Sequence, residues 1–307
     1  MKLVFLGTAE YAIPPLRAVL DSRHETVAVV TKSDRPSGRG LREKPTPVKL
    51  FLREYSPQTP LIQPARLKDP EFQRQLAEYN AELFVVACFP ILPMKVVRLP
   101  KVGCLNIHPS LLPRYRGAAP IRWTLMNGDA ITGVTTFFIG EKIDGGSILL
   151  QRETHIAEGE NYGALEHRLA EMGADLALES LDIIAGGEIR TRIQDESKAT
   201  PAPKIQLEDM RVDWNRSAGE IHNHIRAFAP KPGVFTFMNS RRLKIYASRP
   251  HPEIKAPIRQ GRIDGERLFA GCGEGVLEIL ELQIEGKKRL LIKDFLRGFR
   301  DKEIKFE

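Results

Sequence analysis

Residues 104–109 read Cys104-Leu105-Asn106-Ile107-His108-Pro109. Successive side chains of a strand point to opposite faces, so Leu105 and Ile107 share one face and Asn106 and His108 the other. A strand covered on both faces in an α/β sheet is normally apolar throughout. Two polar residues on one face, at the carboxyl end of the run, therefore need a reason. Open α/β sheets place their ligands beyond the C-terminal ends of the strands, where Asn106 and His108 stand. The plain alternative is a hydrogen-bonded pair that only closes the strand.

Working outward, short apolar runs recur at 3–6, 26–31, 83–88, 134–138 and 148–150, rich in Val, Ile and Phe and flanked by Gly, Pro or Asp. Helical patterns at 13–20 and 71–79 lie between them. This alternation predicts an α/β domain with a doubly wound, mostly parallel sheet. A longer helix is expected over 162–185, where Leu165, Leu169, Met172, Leu176, Leu178 and Leu181 recur on one face until Gly186-Gly187 ends the pattern. The polar stretch 189–203, closing on Thr200-Pro201-Ala202-Pro203, reads as a linker. Beyond it a helix near 217–228 gives way to short strands at 243–247, 267–270, 276–282 and 290–292, punctuated by glycines. That spacing predicts a small β-barrel. The expected division is thus a catalytic domain over 1–188, a linker over 189–203 and a second domain over 204–307.

Composition narrows the class. A chain of 307 residues suits two domains. The apolar run after Met1 is only a few residues long, so a strand is expected there and not a signal peptide. No apolar stretch approaches the roughly 20 residues that span a membrane. Cys88, Cys104 and Cys272 are far apart and form neither a metal-ligand pair nor a disulfide framework, which fits a reducing, cytoplasmic setting. No sustained heptad appears, so a monomer is expected. Net charge is +7, and residues 204–307 hold 21 Lys/Arg against 15 Asp/Glu, a surplus of +6. A basic domain beside a nearly neutral one suggests a polyanionic partner, or merely a basic surface.

Two further segments bear on chemistry. Residues 110–120, Ser-Leu-Leu-Pro-Arg-Tyr-Arg-Gly-Ala-Ala-Pro, form a loop stiffened by prolines that carries Leu111 and Leu112 beside the polar strand end. Apolar residues so placed can line a small-molecule pocket or tuck onto the core. Ile143-Asp144-Gly145-Gly146 follows the strand near 134–139, and its glycines allow a sharp turn or close approach to a ligand. Asp144 alone would pass as an ordinary turn residue. Together the three polar types match one reaction. Formyl transfer to an amine passes through a tetrahedral intermediate bearing an oxyanion and an ammonium. An Asn amide and a protonated His can donate to the oxyanion, and a carboxylate can relay the ammonium proton. Neither a metal nor a covalent nucleophile is needed.

The runs NIHPSLLPRYRGAAPI (106–121) and IDGGSILLQ (143–151) resemble the 10-formyltetrahydrofolate-dependent formyltransferase family, as does FLGTAEYA (5–12). The segment DRPSGRGLREKPTPVK (34–49) resembles the insertion of those members that formylate initiator methionyl-tRNA, and APKI (202–205) with DWNRSAGEIHNHIRAFAPKPGVFT (213–236) resembles the start of their second domain. The likeness spans nearly the whole chain. It implies a Rossmann-like formyltransferase domain followed by an OB-like barrel that holds the tRNA. It implies catalytic roles for Asn106, His108 and Asp144, and folate contacts by Ser110, Leu111, Leu112 and Pro113 with a wall at Phe89 and Ile91. The formyl donor would be 10-formyltetrahydrofolate, with no metal. Entry of the insertion into the acceptor end of the tRNA points to Arg39, Arg42 and Lys44. Departures lie at Ala9, where many members have Pro, at Ala87-Cys88-Phe89, where many have Ala-Tyr-Gly, and at Pro109; they bear on the folate-side wall and touch none of the three catalytic positions.

The residues themselves support the tRNA side. Residues 35–49 contain Arg35, Arg39, Arg42, Lys44 and Lys49 against the single acid Glu43. A long basic loop with glycines can order on RNA, or can simply be solvated. Arg241-Arg242 and Lys287-Lys288-Arg289 are candidate phosphate contacts or exposed turn residues. Gly271-Cys272-Gly273-Glu274-Gly275 opens no helix and reads as a hairpin turn, not a dinucleotide loop. Three rivals stay open: a formyltransferase acting on a small amine such as an amino-sugar nucleotide, a hydrolase of the formyl folate, and a non-catalytic RNA-binding protein.

Overall fold

A computed structural model describes residues 1–37, 42–301 and 303–307. The chain divides into two units. The first comprises Met1–Gly117, Ile131–Thr154 and Glu166–Pro201; the second comprises Ala118–Ala130, His155–Leu165 and Ala202–Glu307.

The first unit opens with β1 (Lys2–Gly7), α1 (Ile13–Asp21) and β2 (Glu25–Val30), then a short hairpin of β3 (Arg35–Ser37) and β4 (Arg42–Lys44). It continues with α2 (Pro47–Tyr55), β5 (Leu61–Ile62), α3 (Pro70–Glu78), β6 (Leu83–Ala87), α4 (Met94–Val97), β7 (Gly103–His108) and β8 (Arg116–Gly117). Helices α2 and α3 start where Thr46 and Asp69 accept the amide protons of Lys49 and Glu71, each with Pro at the first helical turn. After α5 (Pro120–Met126), which belongs to the second unit, come β9 (Ile131–Phe138), β10 (Ile148–His155) and α6 (Tyr162–Gly186).

Seven of these strands form one sheet in the order β10-β9-β7-β6-β1-β2-β5. From β7 to β5 every pairing is parallel, whereas β9 runs antiparallel to β7. The sheet is therefore mostly parallel, as the alternation of patterns implied. Leu3, Val4, Phe5 and Leu6 are wholly buried, and all five residues of β6 are buried, as two-sided coverage requires. Helix α6 covers one face closely: a Cβ on Gly173 would lie 3.0 Å from Ile107 Cγ2 and 3.1 Å from the Tyr11 hydroxyl. Since Ile107 faces α6, Asn106 and His108 project from the other face of β7.

Past α6 the chain stays on the first unit. Arg192 and Ile148 exchange backbone hydrogen bonds of 2.8 Å, and Gln194 is 5% exposed.

β11 (Pro201–Ala202) straddles the boundary, with Ala202 in the second unit, and is followed there by α7 (Ala218–Phe228), capped by the reciprocal Ser217–Glu220 pair. The sheet of this unit comprises β12 (Val234–Met238), β13 (Arg241–His251), β14 (Gln260–Asp264), β15 (Arg267–Gly271), β16 (Val276–Ile284), β17 (Leu290–Leu291) and, after α8 (Ile292–Gly298), β18 (Ile304–Lys305). The order is β12-β13-β16-β15-β14-β18, and a bridge between Met238 and Phe306 brings the two ends together in a nearly closed antiparallel barrel. Trp214 fills its interior against Phe306, ring centroids 4.8 Å apart, and its indole N–H donates to Thr236 Oγ1 at 2.9 Å. Glu278 of β16 accepts two bonds from Arg267 at 2.8 and 2.9 Å and one from His251 at 2.9 Å.

Candidate active site

The site begins at the end of β7. In its register Asn106 lies opposite Phe137 and His108 opposite Thr135 of β9. His108 is 5% exposed, with its ring edge-on to Phe137. Its Nε2 lies 2.9 Å from the carbonyl oxygen of Tyr115. A carbonyl can only accept, so Nε2 carries the hydrogen and donates. That fixes the ring and leaves Nδ1 facing Asp144, 3.8 Å from Oδ2. Tyr115 has φ +63°, an uncommon value for a bulky residue, which is how the loop turns its carbonyl back onto the histidine. Asn106 is half-buried, and among the described residues its amide has no hydrogen-bond partner.

Asp144 is held from several sides. Its backbone is left-handed, φ +48°. The Gly117 N–H donates to Oδ2 at 2.8 Å, leaving Oδ1 without a protein partner among the described residues. Gly146 closes the turn so tightly that a Cβ there would stand 1.7 Å from the Phe138 carbonyl oxygen. The Gln194 amide donates to the carbonyls of Asp144 and Gly146 at 2.7 and 2.8 Å.

The loop after β7 is organised from β9 and β10. Thr135, wholly buried, donates its hydroxyl proton to Ser110 O at 2.7 Å and accepts from the Leu112 N–H at 3.2 Å and the Gln151 amide at 2.8 Å. Gln151 also donates to Leu112 O at 2.9 Å, and Ser110 donates its own hydroxyl to Arg114 O at 2.7 Å. The Leu112–Pro113 peptide is cis. The loop is therefore cross-braced on β9 and β10 and by its own Ser110–Arg114 bond, and only some of its side chains are available.

The residues expected at the folate wall differ in what they present. Leu111 and Pro113 are half-buried. Ser110 is wholly buried with its hydroxyl committed, and Leu112, 2% exposed, packs with Phe137 and Ile148. Contact by Ser110 or Leu112 with a ligand would have to run through backbone atoms. Ala87 pairs with Ile107, so the segment from Cys88 leaves the sheet beside the end of β7. Phe89 on it is half-buried and Ile91 is 72% exposed.

On the basic segment, Arg39 lies outside the described residues. Arg42 and Lys44 belong to β4, and Lys44 is exposed. Lys49 is not a loop cation: it sits in the first turn of α2, buried, and its ammonium pairs with Asp34 at 2.5 Å. Gln63 donates to the other Asp34 oxygen at 2.8 Å, and both partners hold that carboxyl below the usual range. Thr31 and Thr46 hydrogen-bond at 2.9 Å, so the two ends of the hairpin are tied together twice. In the barrel, Arg289 is bound to Glu281 at 2.5 and 2.6 Å and lies over the Tyr246 ring, and Arg242 lies over Phe235. Both cations thus have partners within the barrel. Sequence reasoning missed Thr135, Gln151, Gly117 and Gln194; Thr135 is a hydroxyl inside an apolar strand, which is a signal, but Gln194 is one polar residue in a polar stretch.

Among the described residues no group of three or more His, Cys, Asp or Glu is placed to hold a metal ion, and no helix is long and apolar enough to cross a membrane.

Comparison with known proteins identifies the family. Residues 1–181 match the family described as Formyl transferase, and residues 204–300 match Formyl transferase, C-terminal domain. A methionyl-tRNA formyltransferase of Geobacter sulfurreducens is 40% identical over 301 residues, covering 98% of this chain and 94% of that one. One from Chlorobium luteolum is 41% identical over 307 residues, covering 98% and 97%. Among solved structures, a sugar 3N-formyl transferase, WlaRD, superposes with a TM-score of 0.68 at 20% identity over 94% of this chain and 99% of its own. HypX from Aquifex aeolicus, in complex with tetrahydrofolic acid, gives 0.66 at 20% identity over 99% of this chain and 50% of its own. These structures share the fold, while the close relatives carry the family assignment. The chain belongs to the formyl transferase family of enzymes, in its methionyl-tRNA formyltransferase branch.

Proposed function

We propose that this enzyme transfers the formyl group of 10-formyltetrahydrofolate to the amine of methionine on initiator methionyl-tRNA, in the cytoplasm and as a monomer. Residues 1–188 carry the chemistry, and residues 204–307, with Arg39, Arg42 and Lys44 of the basic segment, engage the tRNA. The relatives' names and the +6 surplus of the C-terminal part support that acceptor. The observation that carries the catalytic reading is the approach of His108 Nδ1 to Asp144 Oδ2, 3.8 Å apart although the residues lie 36 positions apart in the chain.

The neutral amine attacks the formyl carbon. A C–N bond forms and the carbonyl electron pair moves onto oxygen. The unpartnered Asn106 amide donates to that oxyanion, joined by His108 through Nδ1 when the ring is protonated, since Nε2 is engaged with Tyr115. Asp144 sits beside Nδ1 and stabilises the imidazolium, and its free Oδ1 accepts the ammonium proton directly or through water. Collapse restores the carbonyl and breaks the bond to folate N10, which takes up a proton. Leu111, Pro113, Phe89 and Ile91 supply the apolar wall for the folate, with Ser110 and Leu112 shaping it from behind.

The test offers 10-formyltetrahydrofolate with initiator methionyl-tRNA, elongator methionyl-tRNA or a free amino-sugar nucleotide. Formylation confined to the initiator is expected. Turnover on the amino sugar without transfer to either tRNA would overturn the reading.

A further inference from the structure

Gln194 lies in the polar stretch that follows α6, 50 residues after Asp144, yet it is 5% exposed and two of its four side-chain hydrogen bonds are to the turn that carries Asp144. Its amide nitrogen donates to the carbonyls of Asp144 and Gly146 at 2.7 and 2.8 Å. Its amide oxygen accepts from Arg116 Nε at 3.1 Å and Nη2 at 2.8 Å. Arg116 is held in turn by Glu196 at 3.0 and 3.2 Å and stands next to Gly117, whose N–H grips Asp144 Oδ2 at 2.8 Å. Arginine can only donate, so it orients the Gln194 amide with its nitrogen toward the two carbonyls.

We propose that Gln194 is a positioning residue for Asp144: it clamps the left-handed turn at Asp144–Gly146 from the backbone side, while Gly117 fixes the carboxylate from the other. This rests on the reading of Asp144 as catalytic. The turn needs such a clamp. A non-glycine residue at φ +48° is strained and persists only where its surroundings hold it. Two carbonyls on one short, half-buried turn also need donors, and the Gln194 amide supplies both. Without them the turn relaxes, and the 3.8 Å approach to His108 is lost while the rest of the fold remains. Displacement of a catalytic group by about 1 Å slows chemistry by roughly a hundredfold.

The clamp belongs to the same length of chain that runs on to the second unit. Thr200, six residues later, binds the Tyr115 N–H at 2.9 Å, and Tyr115 is the residue whose carbonyl fixes His108. One stretch of chain thus holds the supports of both His108 and Asp144.

The experiment measures kcat and both KM values, for the formyl folate and for initiator methionyl-tRNA, in wild type, Gln194→Met, Gln194→Glu and Asp144→Asn, with thermal melting of each. Methionine keeps the volume and removes both donations; glutamate turns a carboxylate toward the carbonyls. The expected result is a fall in kcat of about tenfold to a hundredfold for both Gln194 variants, with KM values within threefold of wild type and cooperative melting retained. A kcat within twofold of wild type, or a loss shared equally by kcat, both KM values and melting temperature, would overturn the proposal. The Asp144→Asn arm separates the two readings. If it remains active, the catalytic assignment fails. If it is inactive while Gln194→Met turns over normally, only the clamp fails.

Discussion

At the scale of single residues, the site is a set of side chains that would each pass as ordinary and gain meaning from what holds them. His108 is tied by Nε2 to a carbonyl, so only Nδ1 remains for chemistry. His108→Ala and Asp144→Asn are expected to lower kcat by roughly a hundredfold to ten-thousandfold, with tRNA affinity, read by filter binding, close to wild type. Equal loss of binding would make them structural. Gly146 offers a separate check, because a methyl there would overlap the Phe138 carbonyl oxygen. Gly146→Ala is expected to cost about 1–3 kcal/mol of stability in denaturant unfolding and to reduce activity, since the backbone that must shift is the turn carrying Asp144.

At the scale of elements, what was legible in the sequence was what burial dictates. Strands such as β6 announce themselves because both faces are covered and no polar residue is tolerated. The polar end of β7 was legible for the converse reason. Pairing sense was not: that β9 lies antiparallel to β7 depends on a chain reversal that apolar runs do not encode. Nor was the start of α2, whose Thr-Pro cap lies inside a segment that reads as one basic loop. Hence Lys49 reads in the sequence as one more basic residue of that loop, although it is buried against Asp34. The stretch 290–292 was expected as strand, but the chain pairs only at Leu290–Leu291 before α8 begins. Lys49→Met is expected to raise KM for tRNA roughly two- to fivefold through loosening of the hairpin base, with folate KM unchanged in steady-state assays. In the barrel, the Arg267 guanidinium, with His251 beyond it, holds the Glu278 carboxyl down at about 2, against an ordinary 4.5. A depressed carboxyl stabilises the fold above its unfolded value and loses that contribution as pH falls from about 4.5 towards 2. The contribution is on the order of 3 kcal/mol. Glu278→Gln is expected to flatten the acid limb of barrel stability when melting is followed by Trp214 fluorescence, with Trp123 replaced by Phe, across that window.

At the scale of the whole molecule, charge is unevenly laid out. Residues 204–307 carry +6 of the net +7. Several of those cations are neutralised locally, Arg267 by Glu278 and Arg289 by Glu281, so the partner must be met by the remainder. Affinity for tRNA is expected to fall linearly in log K against log salt, with a slope that counts the phosphates engaged, while folate affinity stays nearly flat. A flat response for tRNA would reject a phosphate-binding role for the basic surplus.

The bond from His108 to Tyr115 has a spectroscopic consequence. A buried imidazole proton held on a carbonyl is shielded from exchange, so the Nε2–H of His108 should give a resolved downfield resonance in water, at a ring nitrogen that takes no part in the transfer. Whatever arrives at Nδ1 alters the electron density of the whole ring. That single proton is therefore a native reporter of ligand arrival at the opposite nitrogen, needing no label on the folate or the tRNA.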